Sequence, residues 1–324
     1  MLVALVSALA LVVSSTPALQ AAPSQPSLPP SSQVSQDSTL LPDIVVQGRS
    51  LHDEARAYVA EVGAPIPGAT LARWHDALCV GVVNLNPELA AVVNERVRLE
   101  AQAVGVRVRP QPCRPNILVI ATDSADATAQ GLVKAEPGYF RPANGGTDLG
   151  PEALHRFETS DAAVRWWNVA MPVSNDTGRM AIALDAQAGE SAPVIADRAV
   201  SRLQSTVRSD MAWAMVIVDV TRTGQTSASA LGDYIAMLVL AQIDPNANML
   251  GRDTILNLFA TPGAIDAITD WDRAYLQALY NSPTGRPSAG RQGVDIARAM
   301  TIGRRADQDA PLDPAVASPV QSVP

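Results

Sequence analysis

A chain of 324 residues, 47% of them hydrophobic, is long enough to bury one large core. Its formal net charge of −8 disfavours a nucleic-acid partner, and aromatic residues at 4% are too sparse for base-stacking platforms. Of the 24 basic residues only Lys134 is lysine, which points to a GC-rich genome rather than to a chemical role.

The first residues bear on the compartment. Residues 1–15 (MLVALVSALALVVSS) form an apolar run of signal-peptide length, and TPALQAAP behind it supplies small residues for cleavage. Residues 1–22 therefore read as a signal peptide, and the mature chain as periplasmic or secreted. A retained membrane anchor is the competing reading; Pro17 and the tract after it favour cleavage, which leaves no stable membrane span. No Lys or Arg precedes the apolar run, so the true start could lie upstream. Cys79 and Cys113 are an even pair in an exported chain and predict a disulfide. No CxxC motif or adjacent histidine cluster supports a redox or metal role for them.

Residues 23–42 are a Pro/Ser/Gln linker with too little apolar surface to fold. Residues 43–303 are expected to form a single α+β domain, followed by a disordered tail over 304–324. DIVVQGR (43–49) reads as a short first strand ended by Gly48; it also resembles the DIVVTG-type segment near the start of TonB-dependent receptors. A helix is predicted over 51–62, with Ser50 as N-cap and Gly63 as stop. Asn86-Pro87-Glu88 opens a second helix, striped by Leu89, Val93, Val97, Ala101 and Val104. Short strands are expected at 106–108 and 117–121, and a helix at 124–135. Residues 137–151 read as a long loop with Asn144-Gly145 as a hairpin turn. Strands follow at 164–171, 179–183, 199–204 and 211–220.

The centre of the domain is Met211–Gln242. MAWAMVIVDV suits a strand buried on both faces, and ALGDYIAMLVLAQ is apolar almost all round, as a core helix is. At roughly 14 residues that helix is too short to span a bilayer. Thr254–Ala260 is a short helical or extended segment. Ile268–Tyr280 is a helix with Thr269 and Asp272 in a capping box, and Ser288–Ile302 a last helix.

No HExxH, nucleophile elbow, P-loop or dinucleotide fingerprint occurs, so no metal or cofactor is expected. Two resemblances remain. RWHDALC…PELAAVVNERV…CRPNILVIATD…ITDWDRAYLQALY resembles a family of uncharacterised exported alphaproteobacterial proteins, which implies an export signal and one disulfide but no particular activity. The C-terminal third is similar in layout to metzincin metallopeptidases: strand, metal-binding helix, tight turn, closing helix. The resemblance implies a zincin-like mixed sheet with a buried central helix and C-terminal helices. Carried over position by position, Gly232 and Ala236 stand for the first two histidines, Asp233 for the general base, Val239 for the family glycine and Gln242 for the third ligand. Leu256 or Asn257 stands for the turn methionine. Without histidines such a helix cannot hold zinc or its activated water.

The expectation is therefore a non-catalytic envelope domain that binds a peptide, protein or polysaccharide beside the degenerate helix. Asp233, Gln242 and Trp213 are the candidate cleft residues, each with a structural alternative: helix first turn, helix cap and core. A hydrolase using carboxylates assembled across residues 137–151 is the second reading.

Overall fold

The structure is a computed structural model that describes residues 50–143, 145–181 and 204–309. The signal peptide, the linker, the DIVVQGR segment, Asn144 of the expected turn and most of the expected strand at 199–204 lie outside those residues.

Helix α1 (Leu51–Val62) starts where Ser50 accepts the Asp53 N–H, and its backbone meets Gly63 at its end. Strand β1 (Val80–Val83) follows, then α2 (Pro87–Ala103), capped by the Asn86 side chain with Pro87 in its first turn. Strand β2 (Ile117–Thr122), α3 (Ala125–Ala135), a single turn α4 (Pro137–Phe140) and α5 (Pro151–Thr159) come next. The region expected as one loop thus contains a turn of helix and, just beyond it, a proline-initiated helix. Two long strands, β3 (Val164–Ser174) and β4 (Val207–Asp219), precede α6 (Ala228–Leu240). A 3₁₀ turn at Ile255–Asn257, α7 (Asp270–Asn281) and α8 (Ala289–Asp309) complete the described chain. The last helix runs past the predicted end at Ile302.

Among the described residues the fold is α+β, with an open four-strand mixed sheet in the order β1-β2-β4-β3. β1 pairs parallel with β2, and β2 with β4; β3 runs antiparallel to β4 and forms one edge. Side chains alternate across this sheet. Ile117, Val119, Ala214, Val216 and Val218 face α1, α2, α6, α7 and α8. Ile120, Met215 and Ile217 face α3, α4 and α5. A register shift at Val169/Ala170 leaves Ala212 of β4 without an opposite residue.

Helix α6 is buried from Ala230 through Leu240, as an all-round apolar helix must be. Its C-terminal carbonyls have no water to turn to, and side chains serve them instead. Asn168 Nδ2 donates to Leu238 and Ala241, Trp74 Nε1 to Val239 at 2.6 Å, and the Tyr280 hydroxyl to Leu240 at 2.8 Å. Among the described residues no helix is long and apolar enough to cross a membrane.

Cys79 and Cys113 form a disulfide, which is consistent with an oxidising compartment. It closes the β1-α2-β2 crossover with a sequence separation of 34. Replacing both cysteines by serine is expected to cost about 3–4 kcal/mol in the chain-entropy account, read from urea unfolding of oxidised wild type against the variant.

Candidate functional site

The three residues singled out from sequence do not converge. Asp233 is 0% exposed and lies between helices: Arg96 of α2 donates to both its oxygens, through Nε and Nη2, and the Ile268 N–H donates to Oδ2 at 3.0 Å. It joins α2, α6 and the start of α7. Its neighbour Gly232 is required by the same close approach, because a Cβ there would lie 2.8 Å from Arg96 Cβ and Cγ. The face of α6 bearing Gly232, Asp233 and Ala236 is therefore packed away from solvent. Trp213 sits on the other face of the sheet. Its Nε1 donates to the Tyr139 carbonyl at 2.7 Å and its ring lies 5.0 Å from that of Tyr139.

Gln242 borders a cleft. Its Oε1 accepts the Ala72 N–H at 2.7 Å, and its carbonyl accepts the Ala64 N–H. The cleft, about 760 Å³, runs along the outer edge of β3 over Val164–Asn168. One wall is α5, with Ala153, Arg156 and Phe157; the other is Gly63–Pro65 together with Gln242–Asn246.

The ladder decides what the edge presents. The Ala214 N–H donates to Asn116, toward β2, and the Asp219 N–H donates to the Ala163 carbonyl, toward β3. Odd-numbered β4 residues from 213 to 219 therefore bond β3, and their partners are Arg165, Trp167 and Val169. The backbone groups of Val164, Trp166 and Asn168 point the opposite way, into the cleft, and bond no described residue. From Ala170 onward the edge is covered: the Ala170 N–H donates to Thr147, and the Pro172 carbonyl accepts from Ala181. The open stretch is roughly 14 Å long at about 3.4 Å per residue. Asn168 Oδ1 is buried and has no partner, while its Nδ2 serves the end of α6. Trp166 Nε1 donates to the Ile243 carbonyl at 3.1 Å.

Arg165, 3% exposed, shapes the wall from beneath. It donates to the carbonyls of Phe157, Glu158 and Ser160 at the end of α5, and to Asp126. Asp148, the one carboxylate in residues 137–151, is also committed: it accepts from Arg141 Nε, the Thr147 hydroxyl and the Gly150 N–H. A carboxylate pair across that loop, the second reading, therefore has no second member within it.

A separate polar cluster joins the loop before β1 to the start of β4. His75 Nδ1 lies 2.7 Å from Asp210 Oδ1, and Arg208 donates to both oxygens of Asp210. Burial alone would raise the Asp210 pKa, but the hydrogen bonds and charges of His75 and Arg208 outweigh it and hold the carboxyl below its ordinary value. Among the described residues no group of three or more His, Cys, Asp or Glu is placed to hold a metal ion.

No family model, curated protein or solved structure matches the chain. The cleft was missed in the sequence because its floor is backbone. The signals that could have found it are Gly150-Pro151-Glu152, which starts α5, and the pair Ala153 and Phe157 on one face of that helix.

Three outcomes follow from these contacts. The amides of Trp166 and Asn168 are expected to exchange with solvent deuterium far faster than those of Trp167 and Val169; equal protection of all four in a residue-resolved NMR experiment would contradict the open edge. Asp233→Ala should cost about 2–3 kcal/mol, because it removes charge-assisted bonds from the part-exposed Arg96 and leaves the buried Ile268 N–H without an acceptor, measured by urea unfolding. Because the Asp210 pKa is depressed, its contribution to stability is complete above the ordinary value of 3.8 and is lost as pH falls through the lower folded value. The stability difference between wild type and Asp210→Asn should therefore shrink as pH is lowered below about 4, followed by denaturant unfolding at stepped pH.

Proposed function

We propose that this chain is an exported, non-catalytic, zincin-like domain that holds an extended peptide along the open edge of β3. The observation that carries the reading is the outward-facing backbone of Val164, Trp166 and Asn168 on the floor of a cleft. A peptide laid there in extended form would add a strand beside β3, its backbone groups exchanging hydrogen bonds with theirs. Such an edge fits a polypeptide better than a polysaccharide, which has no repeating N–H and C=O ladder.

The zincin-like part of the proposal draws support from element order. Strand β4 leads into the buried helix α6, then the turn at Ile255–Asn257, then α7 with its Thr269–Asp272 capping box. The non-catalytic part draws support from Gly232, Ala236 and Gln242 at the positions where the resemblance has zinc ligands, and from the packing of α2 against the first of them. The disulfide and the apolar run at residues 1–15 support export to the periplasm or beyond.

Proline provides the test. The Trp166 N–H faces away from β4, so proline at 166 removes a cleft donor and leaves the β3–β4 ladder its bonds. Trp166→Ala loses the same indole and keeps the N–H. With heptapeptides selected on a random array and measured by fluorescence polarisation, Trp166→Pro should bind about fivefold more weakly than Trp166→Ala, the value of roughly one hydrogen bond. Equal affinities in two folded variants would sink the strand-addition reading.

A further inference from the structure

The walls of the β3 cleft carry opposite charges, and this inference rests on the peptide reading above. Arg156 lines the α5 wall, is exposed, and takes part in no ion pair among the described residues. Asp244 lines the facing wall. Its Oδ1 accepts from the backbone and side-chain nitrogens of Asn246, and no described cation pairs with its carboxylate. Two other charged groups line the cleft. Arg165 is bound to Asp126 and to the end of α5; Asp161, exposed in the turn between α5 and β3, receives Arg222 Nη1 on its backbone carbonyl and not on its carboxylate.

The two walls belong to opposite faces of the sheet. Phe157, beside Arg156 on α5, packs in the core that holds Trp167 and Ile217. Ile243, beside Asp244, packs in the core on the other face and accepts the Trp166 indole N–H. A strand added to β3 would continue the sheet, so its successive side chains would point to these two faces in turn. Side chains of one parity would face the wall that bears Arg156, and those of the other parity the wall that bears Asp244.

We infer that the cleft selects an extended peptide in which an acidic side chain stands next to a basic one. An acid–base pair spaced two apart would place both charges on one wall and satisfy only one partner. The open edge ends where Thr147 takes the Ala170 N–H, so the recognised core spans about five residues at 3.4 Å each.

The experiment uses the mature, oxidised protein and four end-capped heptapeptides on a Thr/Val background, with central Glu-Lys, Glu-Val-Lys, Gln-Gln and Lys-Lys. Binding is read by fluorescence polarisation and by amide shifts of Val164, Trp166 and Asn168. The Glu-Lys peptide should bind about tenfold more tightly than Gln-Gln, and Glu-Val-Lys by no more than about threefold, given up to roughly 1 kcal/mol for each part-exposed ion pair. Arg156→Gln should abolish the gain from Glu. Asp244→Asn, which keeps the acceptor for Asn246, should abolish the gain from Lys. Equal affinity of all four peptides, with shifts at the three edge amides, would overturn the charge inference and leave strand addition standing. Binding of none of them, or shifts confined to other amides, would overturn both.

Discussion

A buried helix end is the constraint on which the rest of this structure depends. α6 is apolar around almost all of its circumference and enclosed, so hydration cannot serve its last carbonyl groups, and each one left alone would cost a desolvation penalty of about 1–3 kcal/mol. Three distant parts of the chain converge to meet that need: Trp74 from the loop before β1, Asn168 from β3 and Tyr280 from the end of α7. Those contacts draw the edge strand, the disulfide-bearing segment and the closing helix around one point. The middle of α6 is fixed by a different device, the Arg96–Asp233 ion pair with the Ile268 N–H. Together they hold the helix against the sheet on one side and against α2 and α7 on the other.

The cleft is a by-product of this arrangement. Trp166 and Asn168 turn their side chains toward the end of α6, and the alternation of an antiparallel ladder then sends their backbone groups outward. The same residues thus serve the core through their side chains and form the cleft floor through their main chain. α5 supplies the second wall because Arg165 reaches under it to the carbonyls at its end.

Much of the fold was legible in the sequence where local chemistry decides it. Ser50, Asn86 and the Thr269–Asp272 pair are caps whose effect needs no tertiary partner, and each begins its helix as expected. The apolar circumference of α6 announced its burial. The four-residue β1 was not visible, since VGVV is too short to show a period and exists by pairing with β2. α5 was hidden behind the Gly-rich stretch before it. Of the site, only Gln242 was anticipated at the cleft; Asp233 and Trp213 have the polar or aromatic character of site residues, but their partners are Arg96 and Tyr139, remote in sequence. An edge strand's free backbone leaves no mark on side-chain pattern, because which residues face outward depends on the partner strand.

The close contact at Gly232 has an evolutionary reading. Any side chain at that position would collide with the stem of Arg96, and Arg96 in turn neutralises the carboxylate next door. Acquiring a ligand there by a single substitution would disturb helix packing and a buried charge at once. Intermediates on that path would fold poorly before they bound anything, so the helix face is held in its present chemistry by the stability of the domain itself. If the cleft binds peptide as proposed, variation in that binding has an easier route through the rim positions 156 and 244, whose side chains form no buried ion pair among the described residues.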